Sequence, residues 1–153
     1  MTKLAIRVTD HTTGFDQTIA VSVPANDSAS ITQTLSFSSE QPSALEWSDT
    51  LCGGERVNHA AAVKACADLG ADWRLPTDHE LLSIVDRSRY NPAIDTDKFP
   101  DTKSGAYWTS TLHASDSSYA WVVNFYNGYA NAYCHRDGNN AFVRAVRSVP
   151  AGQ

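Results

Sequence analysis

Apolar side chains recur at every second position early in the chain: Leu4, Ile6 and Val8, then Ile19, Val21 and Val23, then Ile31, Leu35 and Phe37, set among Thr, Ser and Arg. Period two marks half-buried strands, so three short strands are predicted, joined by polar turns at 11–14 and 24–27. So small a sheet is marginal alone and needs a partner surface, either another subunit or the remainder of this chain. The pattern then changes. Asn58 is placed to cap a helix over 60–69, with Val63, Cys66 and Leu69 on one face and Gly70 suited to the left-handed residue that ends it. Thr77 and Glu80 have capping-box spacing, and Pro76 with Leu81 fits a hydrophobic staple. A helix over 78–87 follows, burying Leu81, Leu82, Ile84 and Val85. Asn91-Pro92 and Phe99-Pro100 disfavour helix, which leaves 89–105 as an ordered irregular loop.

The last third reads as four strands, over 107–112, 120–126, 129–135 and 141–147, with Asn127-Gly128 between the middle two. Asn-Gly is a strong hairpin signal because both central residues of a type I′ turn need positive φ. A two-residue turn there places Tyr126 opposite Tyr129, Phe125 opposite Ala130, Val123 opposite Ala132 and Trp121 opposite Cys134. One face then carries Trp121, Val123, Phe125, Ala130, Ala132 and Cys134, which is a core face. The other carries Asn124, Tyr126, Tyr129, Asn131, Tyr133 and His135, with Val122 its single purely aliphatic member. Tyrosine supplies rigid amphipathic contact area and asparagine supplies both donors and acceptors, the side chains of adaptable binding surfaces. With the turn residue Asn127 and the polar segment Asp137, Gly138, Asn139 and Asn140, an open, weakly charged patch is expected from Asn124 to Asn140. The opposing reading is a merely solvated face, or one buried between subunits.

Composition narrows the possibilities. Ser and Thr concentrate in the first fifty positions, whereas all four Trp and all six Tyr follow Ala44, so a boundary is expected between 42 and 45. The chain has 153 residues and a net charge of −5, about one domain with a small appendage. Its charge repels phosphate backbones and no basic cluster offsets it, which argues against nucleic acid. No apolar run approaches the roughly 20 residues of a membrane-spanning helix, and the opening Met1-Thr2-Lys3 leads into no signal-peptide core. Three cysteines, Cys52, Cys66 and Cys134, make an odd number without zinc-ligand spacing, so buried small hydrophobes are expected rather than a disulfide framework or a metal site. Ser, His and Asp are scattered without a nucleophile elbow, and His59, His79, His113 and His135 lack metal-ligand spacing. There is no P-loop or dinucleotide fingerprint, so no catalytic residue and no cofactor is assigned.

Several segments together resemble one family. They are Trp73-Arg74-Leu75-Pro76-Thr77 with Glu80-Leu81, the loop Tyr90-Asn91-Pro92-Ala93-Ile94-Asp95, Tyr107-Trp108-Thr109-Ser110-Thr111, Ala120-Trp121, Val123-Asn124-Phe125 and Val143-Arg144-Ala145-Val146-Arg147. In this order they are similar to the Legionella collagen-like protein C-terminal domain family, over roughly residues 45–148. The first 44 residues carry no resemblance of their own. The resemblance implies an α+β, C-type-lectin-like domain over 45–153, two helices packed on an antiparallel sheet, preceded by a small N-terminal β segment. It implies a long-range kinship with formylglycine-generating enzymes, phage tropism determinants and retroelement-diversified variable proteins, which place ligand-binding residues on the C-terminal β region. Here that region is again 124–140.

Departures limit what carries over. Family members often have cysteine where this chain has Ala145, so a bridge from Cys66 to that strand is not available. Neither Glu-Pro-Asn nor Trp-Asn-Asp occurs, and Asp95 and Asp97 lack the Gly and Glu of an EF-hand loop, so calcium is not implied. The oxidase relatives rely on a cysteine pair in the C-terminal half, where only Cys134 lies. Trp73 and Trp108 are expected in the core, Arg74 against Asp86 or a carbonyl, and at most one of Arg144 and Arg147 over the core. The expected protein is a non-enzymatic binding module, a phage or prophage virion component recognising a cell-surface glycan or protein, located in the virion or in bacterial cytoplasm before assembly. Residues 1–44 are expected to serve homo-oligomerisation, a trimer among the options, or docking to a virion protein. The alternative is a structural virion or assembly protein without a ligand.

Overall fold

The computed structural model describes residues 2–10, 15–23 and 43–150, and the chain divides into two compact units, Met1–Ser39 and Glu40–Gln153. In the first unit β1 (Thr2–Asp10) and β2 (Phe15–Val23) pair antiparallel, with Leu4 opposite Val21 and Ile6 opposite Ile19. These are the first two expected strands. The third, over 31–37, and the turns at 11–14 and 24–27 lie outside the described residues.

The second unit is α+β, with two antiparallel sheets and two helices. β3 (Ser43–Thr50) pairs with β7 (Arg144–Pro150), and β4 (Ala106–Leu112), β5 (Tyr119–Asn124) and β6 (Tyr129–His135) form the other sheet in that order. The sequence pattern predicts no strand at β3 and places the last strand three residues early. Its first three residues are taken up elsewhere: Ala141 bridges Val57, Phe142 bridges Tyr107, and the Val143 carbonyl accepts from Leu51 N. Only from Arg144 onward is the backbone free to pair with β3.

Asn58 caps α1 (His59–Ala67), its side chain accepting from Ala61 N at 2.9 Å. The buried face of α1 is His59, Ala62 and Cys66, not the expected Val63, Cys66 and Leu69; Val63 and Leu69 are exposed. At 100° per residue, 59, 62 and 66 share a stripe that 63 and 69 flank. The capping box forms as expected at α2 (Asp78–Leu82): Thr77 Oγ1 accepts from Glu80 N at 3.2 Å and Glu80 Oε2 from Thr77 N at 2.8 Å. The helix ends five residues short of the expected 87, because Val85 bridges Ile94 and Asp86 N donates to the Ala93 carbonyl. The chain turns back on the 89–105 loop instead of continuing helically.

The sheet β4-β5-β6 is buried on two faces, not one. Trp108 lies opposite Val122 and Tyr107 opposite Val123, and neighbouring strand residues point to opposite faces. Trp108, Ala120 and Val122 join Ala62, Cys66, Leu75 and Val143 in one cluster; Tyr107, Val123 and Phe125 join Leu81, Ile94 and Phe142 in another. Val122, expected on the open face, is therefore core. Trp73 packs at the edge of the first cluster under the Arg147 guanidinium, 4.9 Å from its ring. Arg74 forms a fork with Glu80 (2.8 and 2.7 Å) rather than with Asp86, and also reaches the Leu75 carbonyl at 3.3 Å. The Arg74 hydrogen bonds hold the Glu80 carboxyl below its ordinary range.

His59 ties α1 to the sheet. Its Nε2 lies 2.9 Å from the Thr109 carbonyl, its Nδ1 accepts from Arg136 Nε at 3.2 Å, and its ring meets Trp108 edge-on at 5.2 Å. A ring that donates at Nε2 and accepts at Nδ1 is neutral. Burial lowers its pKa first; the Arg136 charge lowers it further, against the raising influences of the Thr109 carbonyl and Asp137. Unfolded His titrates near ~6.5, so below that pH the unfolded chain binds the extra proton. The stabilisation is full above it and declines as pH falls toward the lower folded value. Thermal melting at pH 7.5, 6.5 and 5.5 should show a falling Tm, and His59→Gln should flatten that fall. An equal slope in both chains would contradict it.

Candidate functional site

The turn between β5 and β6 does not close over two residues. Asn124 pairs with Tyr129 and Val123 with Ala130, so the turn contains Phe125, Tyr126, Asn127 and Gly128, and the expected pairing is displaced by two positions. Gly128 alone there has positive φ, +77°, whereas a type I′ turn needs Asn127 left-handed as well. The cause is tertiary: Phe125 N donates to Gly105 O at 2.8 Å, the Phe125 carbonyl accepts from Ala93 N at 2.6 Å, and the ring enters the second cluster. Asn124 O closes the loop by accepting from Gly128 N at 2.7 Å. A shift of two keeps Tyr129 on the Val122 face, and past Val122 that face carries no member of the first cluster, so Tyr126 and Tyr129 are exposed.

Three asparagines hold them there. Asn124 Oδ1 accepts from Tyr126 N (3.0 Å), Asn127 Oδ1 from Tyr129 N (3.2 Å) and Asn131 Oδ1 from Tyr133 N (3.3 Å). Each Asn-x-Tyr step is an Asx turn in which the side chain bonds the backbone two residues on. The rings they carry are 42%, 66% and 87% exposed at Tyr126, Tyr129 and Tyr133. Each asparagine keeps its NH2 group for another partner. Tyr90, which no pattern in the sequence places at the site, meets Tyr126 edge-on at 4.8 Å, because Asn91 N donates to the Tyr126 carbonyl at 3.1 Å. The neighbouring Tyr126 phenol raises the Tyr90 phenol above its ordinary pKa.

The remaining expected site residues form the turn after β6. Asn139 Oδ1 accepts from His135 N at 2.8 Å, and His135 Nδ1 accepts from Asp137 N and Gly138 N at 3.3 and 3.2 Å. His135 is half-buried with its ring edge-on to Tyr119 at 5.3 Å, so it and Asn139 shape the turn. Asp137 and Asn140 are exposed. Arg136 is drawn to His59 and to the Ser117 carbonyl.

Trp121 was expected in the core, and it is only half-buried. From Val122 to Ala120, β5 advances two residues while β6 advances three, Asn131 to Cys134, and β4 advances four, Trp108 to Leu112. Both neighbours of Trp121 therefore bulge at its level, and bulges re-aim side chains. The indole lines a hollow of about 260 Å³ with His113, Asn131, Ala132 and Tyr133. No feature of the sequence marks either bulge.

Cys52, Cys66 and Cys134 are all free and all pack at the first cluster. Burial, with the nearby Cys52, pushes the Cys66 thiol up to about 12, and burial raises Cys134. Both are protonated thiols at neutral pH, unreactive as nucleophiles. Among the described residues no helix is long and apolar enough to cross a membrane.

An α+β domain that directs aromatic and amide side chains outward from a rigid hairpin has the make-up of a binding module. The chain belongs to the Lcl C-terminal domain family, whose model matches residues 20–147. The match begins inside β2, well before the start near residue 45 that the motifs alone indicate. No curated protein matches the chain. Membership points to a binding or adhesion-like module.

Proposed function

We propose that the β5–β6 hairpin recognises a cell-surface ligand, and that the protein is a non-enzymatic, receptor-binding component of a phage or prophage virion with a C-type-lectin-like head. The observation that carries this is the run of three Asx turns, each fixing one exposed tyrosine. Exposed aromatic rings on a fixed backbone lose little entropy on binding, which suits them to be anchors. Two helices set against an antiparallel sheet support the lectin-like reading. Asn124, Asn127, Asn131 and Asn140 supply polar contacts around the rings, and His135, Asp137 and Asn139 shape the rim. Residues 1–44 then attach the head to the particle or to further copies of the chain.

Nitration footprinting read by mass spectrometry tests this. In the free full-length protein Tyr126, Tyr129 and Tyr133 should react with tetranitromethane, and Tyr107, fully buried, should not. Adsorption to bacterial cells should protect the three reactive rings. Rings already shielded in the free protein would favour the structural-protein alternative, and rings equally reactive before and after adsorption would refute the hairpin as the contact.

A further inference from the structure

Beside the tyrosine hairpin, two adjoining hollows share His113, Ala132 and Tyr133 as a common wall. One, about 260 Å³, adds Trp121 and Asn131; the other, about 230 Å³, adds Ser115, Asp116 and Tyr119. We infer that these hollows form a two-ring subsite for a neutral, hydroxyl-rich pyranose chain, an assignment that rests on the reading of the hairpin as a binding surface.

The lining groups define the chemistry. Neither hollow is lined by Lys or Arg, and the only formal charge is Asp116. The Ser118 backbone N–H, donating to Oδ1 at 2.9 Å, and the nearby Ser118 hydroxyl hold its carboxyl below the ordinary range. A phosphorylated or sulfated ligand would therefore meet a carboxylate with no cation to offset it. A cationic ligand would be drawn to Asp116 but would leave the donors of the adjoining hollow without partners. Ser115 N donates to His113 Nδ1 at 3.3 Å, which leaves Nε2–H as the ring's donor. Asn131 spends its oxygen on Tyr133 N, which leaves its NH2 as a donor. The Trp121 indole N–H donates to no group among the described residues. In the Trp121 hollow, which Asp116 does not line, an ammonium ion, itself only a donor, would confront three donors. Sugar hydroxyls donate and accept, so they can satisfy these donors and the free oxygen of Asp116 together. Trp121, Tyr119 and Tyr133 add aromatic rings to the lining, and the negative quadrupole of an aromatic face attracts the C–H edge of a pyranose ring.

Size agrees. Each hollow is smaller than the ~300–1,000 Å³ typical of drug-sized pockets, and two in a row fit consecutive rings of a chain rather than one large ligand. The placement follows from the strand irregularities. The bulges flanking Trp121 bring its indole to the surface, and the turn that carries Asp116 is closed by His113 N donating to the Tyr119 carbonyl at 2.9 Å.

Saturation-transfer difference NMR on the full-length protein tests the assignment, with cellobiose, maltose, lactose and N,N′-diacetylchitobiose as probes. At least one should receive magnetisation on its ring protons. Trp121→Ala should reduce the transfer at least fivefold, and Lys64→Ala, on the exposed side of α1, should leave it unchanged. If Trp121→Ala does not fold, His113→Ala decides in its place. No transfer to any of the four, or transfer indifferent to these substitutions, overturns the assignment. Adsorption that depends on the tyrosines while no disaccharide binds would sink this subsite and spare the hairpin. Disaccharide contact at Trp121 with adsorption indifferent to the tyrosines would do the reverse.

Discussion

Arg144→Ala should lower the stability of the protein by about 3–5 kcal/mol, because partly exposed Asp101 loses its ion-pair partner, the Ser48 carbonyl and two hydroxyls lose a charged donor, and the vacated space is left as a cavity. The guanidinium is 2% exposed. Its Nη1 donates to the Ser48 carbonyl, and its Nη2 reaches Asp101 Oδ1 at 2.9 Å, Thr102 Oγ1 at 3.0 Å and Thr50 Oγ1 at 3.2 Å. Asp101 also accepts from Thr50 N. Burial alone would raise the Asp101 pKa, but the bonds from Thr50 and Arg144 and the Arg144 charge outweigh it and hold the carboxyl below its usual range. This one side chain therefore joins β7, β3 and the 89–105 loop. Its Nε–H has no partner among the described residues, a cost the other bonds offset. A loss of this size corresponds to a Tm lower by roughly 10–20 °C. Arg144→Met with Asp101→Asn should recover part of it, since neither charge is then stranded. By contrast Arg147→Ala, which breaks an exposed 2.7 Å pair with Glu46 and uncovers the Trp73 ring, should cost no more than about 2 kcal/mol. A loss at Arg144 as small as that at Arg147 would contradict the account of the core.

The contrast between these two arginines shows what a sequence can and cannot reveal. Alternation along a strand tells that at most one of them lies over the core, but Arg144 is chosen by partners 43 and 96 positions away, Asp101 and Ser48. Features written in a few neighbouring residues were legible: the Asn58 cap, the Thr77–Glu80 box, the first two N-terminal strands and the irregular loop. Features set by distant pairing were not. β3 carries only Leu45 and Trp47 as large apolar residues, and its identity as a strand comes from β7 a hundred residues on. At the hairpin the Asn-Gly pair points to a two-residue turn, yet Gly105 and Ala93 capture the Phe125 backbone and widen it. The face of Tyr129 was nevertheless legible, because near the turn the displacement is two, whereas beyond the β6 bulge, where Ala120 pairs with Cys134, it is one. Trp121 was not, because its exposure depends on bulges in both neighbours. Tyr90 was not, because it comes to Tyr126 from a separate loop.

The loss of binding expected from the tyrosines rests on the same geometry. Tyr126, Tyr129 and Tyr133 contribute little to the core, since substitutions at exposed positions usually change stability by no more than about ±0.5 kcal/mol. A tyrosine at the centre of a contact is commonly worth ~2 kcal/mol or more when truncated, and such values do not simply add. A triple replacement that removes even ~2.7 kcal/mol weakens binding about a hundredfold. The Asx turns use only the tyrosine backbone N–H groups, so alanine at these positions leaves the hairpin intact. The effect on binding and the effect on folding are therefore separable.

The most direct measurement is equilibrium adsorption of the full-length protein to bacterial cells, comparing the natural chain with Tyr126→Ala, Tyr129→Ala and Tyr133→Ala combined, alongside thermal melting of both. Adsorption at least a hundredfold weaker, with Tm within about 2 °C of the natural chain, is the predicted result. Adsorption unchanged within twofold, in a variant that melts normally, would contradict it.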